Sequence, residues 1–286
     1  MSALDLGLVV VFACVAWWAS TGLILLLIGG PERTYRWSML GGVLAALAGL
    51  AAVVATSGVT TRESAIVAFL AAIALWGVVE MAFLMGYVVG PRREACPPRT
   101  PGALRFRFAA TALAYHELAL AAVLVLLAWL VRGEPNQTAL HLFALLWVMR
   151  LSTKLNIFLG VCNASESFLP RRIAYLASYF RKAPMNPLFP LSITLSTAAV
   201  VGLALASLQP GASAHTATSA VLLATFAALA VIEHWLLVLP LPTMALWPWA
   251  HPSTDDAPPL PRIETATLTS EPAAPSLVVP AIAGKR

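Results

Sequence analysis

Seven long apolar runs constrain this 286-residue chain more than any other feature. The hydrocarbon core of a bilayer, about 30 Å thick, is crossed by roughly 20 residues of α-helix. The runs are continuous rather than alternating, which indicates membrane helices instead of barrel strands. With 59% hydrophobic and 11% charged residues, the composition excludes an ordinary soluble domain. The predicted fold is an all-α polytopic membrane protein with helices over 6–28, 39–56, 64–89, 109–131, 139–159, 188–208 and 220–239.

The Lys and Arg residues outside the predicted helices fall mainly on one side of the membrane. Fourteen follow the first, third, fifth and seventh helices, whereas the opposite side has only Arg62 and Arg132. Positively charged loops stay in the cytoplasm during insertion. We therefore expect a periplasmic N-terminus and a cytoplasmic C-terminus. The net charge of +5 is attributed to topology and to contact with membrane lipids, and no nucleic-acid partner is expected.

Two segments outside the helices have their own patterns. Within residues 161–187, Leu169, Ile173, Leu176 and Phe180 recur at spacings of 4, 3 and 4, with basic residues on the other side. This pattern predicts an amphipathic helix on the cytoplasmic surface, and the alternative is a solvated loop that is only partly helical. The tail over 251–286 contains seven prolines in 36 residues and is predicted to be disordered.

Charged and imidazole side chains interrupt four of the predicted helices at similar depth. Counted from the expected cytoplasmic boundary, they lie about 8–14 Å inside the membrane at 1.5 Å per residue. Each charged side chain facing lipid would cost on the order of 3 kcal/mol, so we expect them to face one another as one polar layer. Its members are Glu80, His116, Glu117, Arg150, Lys154, Asn156, Glu233 and His234.

The spacing of the two cations predicts how the layer is paired. Arg150 and Lys154 are four residues apart and project from one helix face, where they can meet Glu80, Glu117 and Glu233 from neighbouring helices. Three carboxylates against two cations leave one negative charge. A protonated histidine or a protonated glutamate would remove that charge.

The polar layer is compatible with several roles. It can be a buried network that fixes helix order, a site where neutral His116 or His234 binds the magnesium of a chlorophyll-type pigment, or a proton or ion path. A membrane metalloenzyme is a weaker alternative because no His-x-x-x-His or Glu-x-x-His spacing occurs. A small-molecule transporter is also weakly supported, since the two halves show no internal repeat. Phosphate-loop, nucleophile-elbow and Cys-x-x-Cys motifs are absent from the sequence, so no catalytic residue, no metal site and no enzyme activity are predicted.

Four short motifs that place charges or prolines within or beside membrane helices carry a family resemblance. They are YHELAL at 115–120, LWVMRLSTKLN at 146–156, PMNPLFP at 184–190, and EHW at 233–235 followed by LPLP at 239–242. Together they resemble the photosynthetic complex assembly protein 2 family, the PuhE-like proteins of purple phototrophic bacteria. The resemblance extends to about residue 250 and leaves out the Pro-rich tail.

The resemblance implies a multi-pass protein of the bacterial inner, or intracytoplasmic, membrane that serves anoxygenic photosynthesis. Its implied role is assistance in reaction-centre and light-harvesting complex assembly or in bacteriochlorophyll supply. Reaction-centre polypeptides, light-harvesting polypeptides and pigment-biosynthesis proteins are the implied partners. Bacteriochlorophyll or a precursor is the implied transient ligand. The family has no established active-site residues to transfer to this chain.

Overall fold

Seven long α-helices account for most of the protein. The computed structural model describes residues 2–164, 169–239, 241 and 246–250. All seven helices are long and apolar enough to cross a membrane, so the predicted all-α fold is confirmed. The predicted disordered tail over 251–286 lies outside the described residues. The helices are α1 (Ala3–Gly29), α2 (Tyr35–Thr56), α3 (Arg62–Leu84), α4 (Gly102–Leu130), α5 (Thr138–Leu159), α6 (Leu188–Ser207) and α7 (Ala214–Leu236).

Three helix boundaries differ from the sequence prediction by five residues or more, and one of them is the start of α7 at Ala214 rather than residue 220. Helix α3 ends at Leu84 rather than residue 89, because Gly86 adopts a φ of +77° that ends the helical path. The backbone carbonyl of Val89 then accepts a hydrogen bond of 3.0 Å from the amide of His116 on α4. Helix α4 begins at Gly102, seven residues before the predicted start, since charged Arg105 and Arg107 occupy its first turns without breaking the helix.

The odd-numbered helices form the centre of the bundle. Helices α1, α3, α5 and α7 pack on one another, while α2 packs on α3, α6 packs on α7, and α4 lies against α3 and α5. In their most apolar windows, α3 is 56% buried and α7 is 61% buried, but α2 and α6 are only 11% buried. Successive helices are joined by connections that reverse the chain direction. The central four helices therefore run parallel, and the even-numbered helices run antiparallel around them.

One end of the bundle, which we call the basic end, is where α1, α3, α5 and α7 finish. Here Arg171–Tyr179 forms a 3₁₀ helix, which we call the 3₁₀ segment, where an amphipathic helix was predicted. Its buried side chains Ile173, Leu176 and Tyr179 recur at intervals of three, the period of a 3₁₀ helix. They pack against residues of α3 and α4 and the loop between them. The apolar face of the segment thus contacts protein.

Several basic side chains at this end hold the loops together. Arg105 donates hydrogen bonds to the backbone carbonyls of Phe158, at 2.9 Å, and Tyr179, at 2.6 Å. Arg172 forms an ion pair with Glu32 at 2.6 Å between Nη2 and Oε2. The Arg105 contact satisfies a carbonyl at the C-terminus of α5, where a cation is favoured. Part of the basic excess therefore has a structural role.

Candidate functional site: a charged layer beside an apolar cavity

A cavity of about 440 Å³ lies between α1, α3, α5 and α7 towards the basic end. Its wall is mostly apolar, and the 3₁₀ segment contributes Leu176 and Tyr179 to it. Pockets that hold drug-sized molecules span roughly 300–1,000 Å³ and combine apolar walls with a few polar groups. In this cavity the charged wall residues are Glu80, Arg150, Lys154 and Glu233.

Arg150 on α5 pairs with Glu80 on α3. Nη2 of Arg150 lies 3.3 Å from Oε2 of Glu80, and Glu80 is only 5% exposed. On the other side of the carboxylate, Nε2 of His116 on α4 lies 3.5 Å from Oε1. Glu80 on α3 therefore contacts both α4 and α5. Such contacts are expected because an unpaired charge facing lipid is costly.

Lys154, one turn after Arg150, pairs with Glu117 on α4. The distance from Nζ of Lys154 to Oε1 of Glu117 is 2.6 Å. The second carboxylate oxygen accepts a hydrogen bond of 2.9 Å from the indole Nε1 of Trp147. Both oxygens of Glu117 therefore have partners on α5, and Glu117 joins α4 to α5. It lies beside the cavity and is not one of the residues that line it.

Glu233 on α7 differs from the other two glutamates. Oε1 accepts a hydrogen bond of 3.1 Å from the indole Nε1 of Trp17 on α1. Within the described part of the chain, Glu233 has no ion-pair partner. Glu233 is exposed and forms part of the cavity wall. Glu233 is thus the third carboxylate that the sequence predicted to be in excess.

A second network near the basic end is made of neutral groups and joins α5, α6 and α7. The hydroxyl of Ser152 bonds to Nε2 of His234 at 2.9 Å and to the hydroxyl of Ser192 at 3.0 Å. Asn156 donates to the Ser192 hydroxyl at 3.0 Å. Asn186 donates to the side-chain carbonyl of Asn156 and to two backbone carbonyls of the same region, at 2.9–3.1 Å. These bonds give buried polar groups the partners they require.

The two histidines predicted to contact pigment lie outside the cavity wall. Nδ1 of His234 lies 2.8 Å from the carbonyl of Ala230, and because a carbonyl can only accept, this nitrogen carries the proton. Its other nitrogen is occupied by Ser152. His116 is fully buried and lies against the ring of Phe83, with 4.3 Å between ring centroids. Pigment contact by either ring stays a prediction, and this arrangement offers no free ring nitrogen of His234 to a metal.

Residues that the sequence reasoning missed complete both networks. Trp17 and Trp147 donate to glutamates, and Ser152 and Asn186 join the neutral network. Trp147 and Ser152 lie within the LWVMRLSTKLN motif and Asn186 lies within PMNPLFP. Trp17 lies in none of the four motifs. Across the described ranges, no group of three or more His, Cys, Asp or Glu residues has the arrangement of a metal site.

Comparison with known proteins finds one family model and one close relative. The model of a family described as a protein of unknown function, DUF3623, matches residues 3–258. An uncharacterized 30.4 kDa protein in the puhA 5′ region of Rhodobacter capsulatus is 41% identical over 256 residues, which cover 87% of this chain and 92% of the relative. No solved structure matches the chain.

Proposed function

This chain belongs to the DUF3623 family. We propose that it is an assembly factor for the photosynthetic apparatus of an anoxygenic phototrophic bacterium. It assists reaction-centre and light-harvesting complex assembly or the supply of bacteriochlorophyll to those complexes. The proposal requires binding and positioning but no catalytic step. The PuhE-like identity inferred from the sequence motifs belongs to the same proposal.

The observation that carries the proposal is the genetic position of the relative. That protein is described by its place in the puhA 5′ region, within a photosynthesis gene cluster of Rhodobacter capsulatus. Bacterial genes that act together are commonly neighbours. Since the match covers nearly all of both chains, a shared role in the photosynthetic apparatus is supported for the whole membrane bundle.

Two structural features are consistent with such a role. The outer helices α2 and α6 are largely exposed apolar surfaces on which other membrane helices can pack. The cavity provides an interior space for a small apolar molecule, with charged groups in its wall. We propose that the protein resides in the inner, or intracytoplasmic, membrane with its basic end in the cytoplasm. Reaction-centre and light-harvesting polypeptides, pigment-biosynthesis proteins and lipids are its proposed partners.

Deletion of the relative's gene in Rhodobacter capsulatus tests the proposal. Extracted bacteriochlorophyll and the membrane content of reaction-centre and light-harvesting polypeptides should be measured in parallel during a shift to phototrophic growth. We expect the polypeptides in assembled complexes to fall, with recovery when either the relative or this chain is expressed. A fall in total pigment before any fall in polypeptide synthesis favours pigment supply. Unstable polypeptides with normal pigment synthesis favour assembly.

Two controls make the result interpretable. The relative's own gene, supplied in trans, excludes an effect of the deletion on neighbouring genes. This chain must also be shown to accumulate in the membrane before its complementation is scored. Normal content of pigment and complexes in the deletion strain would contradict the proposal.

A further inference from the structure

The guanidinium of Arg150 has hydrogen-bonding capacity that the protein does not use. Its side chain is 39% exposed although it lies inside the bundle, because it forms part of the cavity wall. Among the described residues, Glu80 is its one hydrogen-bond partner, and its buried Nε atom has no partner. An arginine carries five N–H donors. Because Nε itself is buried, the unused donors that can face the cavity are those of the Nη atoms, in apolar surroundings where an oxygen acceptor would be strongly favoured.

Glu233, in the same wall, offers hydrogen-bond acceptors rather than donors. Trp17 donates to one of its oxygens, and no cation within ion-pair distance balances it in the described part of the chain. A carboxylate accepts hydrogen bonds from several donors. A bound hydroxyl group would therefore add a charge-assisted hydrogen bond, which is stronger than one between neutral groups.

The charge balance of the wall selects the ligand class. Glu80 and Glu117 form ion pairs with Arg150 and Lys154. An anionic ligand would add to the negative charge of Glu233, and a cationic ligand that pairs with Glu233 would leave the free donors of Arg150 without an acceptor. A neutral head group satisfies both sides if it offers an acceptor to Arg150 and a donor to Glu233. The remaining wall is apolar and suits a hydrocarbon body.

We propose that the cavity binds a neutral amphiphile of the quinone and quinol type. Its ring oxygen accepts from Arg150, and in the quinol form a hydroxyl donates to Glu233. The apolar ring and the start of its chain occupy the space between α1, α3, α5 and α7. No redox step is assigned to this site. The inference rests on the cavity alone and is independent of the proposed role in photosynthesis.

A cavity-filling variant provides the main test without disturbing the charged layer. Gly77 on α3 lies in the cavity wall, and a Cβ there would lie 3.6 Å from Cδ1 of Ile24, an ordinary van der Waals distance. Gly77→Phe should therefore fold and extend its ring into the cavity. Gly41→Phe is the matched control, because a Cβ at exposed Gly41 meets nothing within 4 Å.

Binding should be measured by equilibrium dialysis of short-chain ubiquinone and its quinol against the purified full-length protein in detergent. We expect saturable binding at one site, about tenfold or more weaker in Gly77→Phe and unchanged in Gly41→Phe. Glu233→Gln, which keeps an acceptor for Trp17, should weaken quinol binding by about tenfold and quinone binding by less. Thermal unfolding of each variant verifies that the protein is folded.

Three outcomes would overturn the proposal. One is the absence of saturable binding by either probe. Another is equal affinity of wild type and folded Gly77→Phe, which would place the ligand outside the cavity. The third is displacement of the probe by zwitterionic phospholipid at equal molar amounts, which would identify the cavity as a lipid site. None of these outcomes bears on the phenotype of the gene deletion, so the two proposals can fail separately.

Discussion

Arg150 and Glu80 join α5 to α3 through an ion pair of 3.3 Å at the wall of the cavity. One turn further along α5, Lys154 pairs with Glu117 on α4 at 2.6 Å. One face of α5 is thus joined to both α3 and α4. The ion pairs and the cavity are parts of one arrangement, because Glu80, Arg150 and Lys154 all contribute to its wall.

Removing Arg150 should destabilise the protein strongly. Arg150→Ala removes the permanent cation beside buried Glu80, and we expect a loss of about 3 kcal/mol in the free energy of unfolding, together with a lower yield of folded protein. Adding Glu80→Gln should restore part of that loss. Unfolding of both single variants and the double variant in detergent gives the coupling energy, expected to be at least about 1 kcal/mol. Independent, additive losses would show that the pair contributes nothing.

The neutral network should be equally sensitive at Asn186. Asn186→Ala removes three donated hydrogen bonds to acceptors near the end of α5 and leaves those acceptors buried. We expect the free energy of unfolding to fall by about 2–3 kcal/mol. Met185→Ala is the control, because Met185 lies in the same loop and is 53% exposed. Similar losses in both variants would indicate a general sensitivity of the loop instead of a role for the network.

The sequence predicted which charged residues would come together, but it did not predict the hydrogen-bond partner of every one of them. Arg150 and Lys154 have a local signal, since their spacing of four places them on one helix face, and the structure pairs them with two of the three expected glutamates. The partner of Glu233 is Trp17, 216 residues away, and no local pattern identifies such a contact. The helices themselves were predictable because each requires only a long apolar run.

The 3₁₀ segment shows a different limit of sequence reasoning. Spacings of 4, 3 and 4 indicate an α-helix, and the pattern gave no weight to Tyr179, whose hydroxyl donates to the carbonyl of Glu94 at 2.9 Å. Packing against α4 and the α3–α4 loop then selects the tighter 3₁₀ winding, which aligns Ile173, Leu176 and Tyr179. The helix type is decided here by tertiary contacts, and the spacing of apolar residues in the sequence gives no information about those contacts.

Close contact between the α3–α4 loop and α4 should make Gly90 intolerant of any side chain. A Cβ at this position would overlap the carbonyl oxygen of Thr111 and the backbone of Ala112. Gly90→Ala should therefore lower the free energy of unfolding by about 2 kcal/mol. Gly102→Ala at the start of α4 is the control, since nothing lies within 4 Å of its added Cβ. Unfolding in detergent distinguishes them, and equal stability of the two variants would contradict the close approach.

The histidines can be assigned to structure or to pigment by one double substitution. In His116→Phe/His234→Phe, the bonds of His234 to Ser152 and Ala230 are lost, so we expect less folded protein in the membrane. Pigment content and immunodetected protein should be measured in the same membranes. Loss of pigmented complexes at unchanged protein abundance would instead support direct pigment contact. Unchanged values of both would show that neither ring is required.

The orientation of the bundle is tested by thiol labelling. Cys162 is exposed at the basic end, and in a variant with Cys14 and Cys96 replaced by Ala it is the single thiol in the sequence. A membrane-impermeant maleimide should label it in inside-out vesicles and not in intact spheroplasts. Moving the thiol to exposed position 132 by Arg132→Cys with Cys162→Ala should reverse the pattern. Labelling of Cys162 from outside would invert the proposed topology.

The membrane absorbance spectrum of a Rhodobacter capsulatus strain lacking the relative's gene tests the central claim most directly. Near-infrared bands of the reaction centre and antenna should be recorded for the deletion strain, its parent, and strains complemented with the relative or with this chain. The assembly role predicts selective loss of these bands and their return in both complemented strains. An unchanged spectrum, with normal phototrophic growth of the deletion strain, would contradict a role in the photosynthetic apparatus.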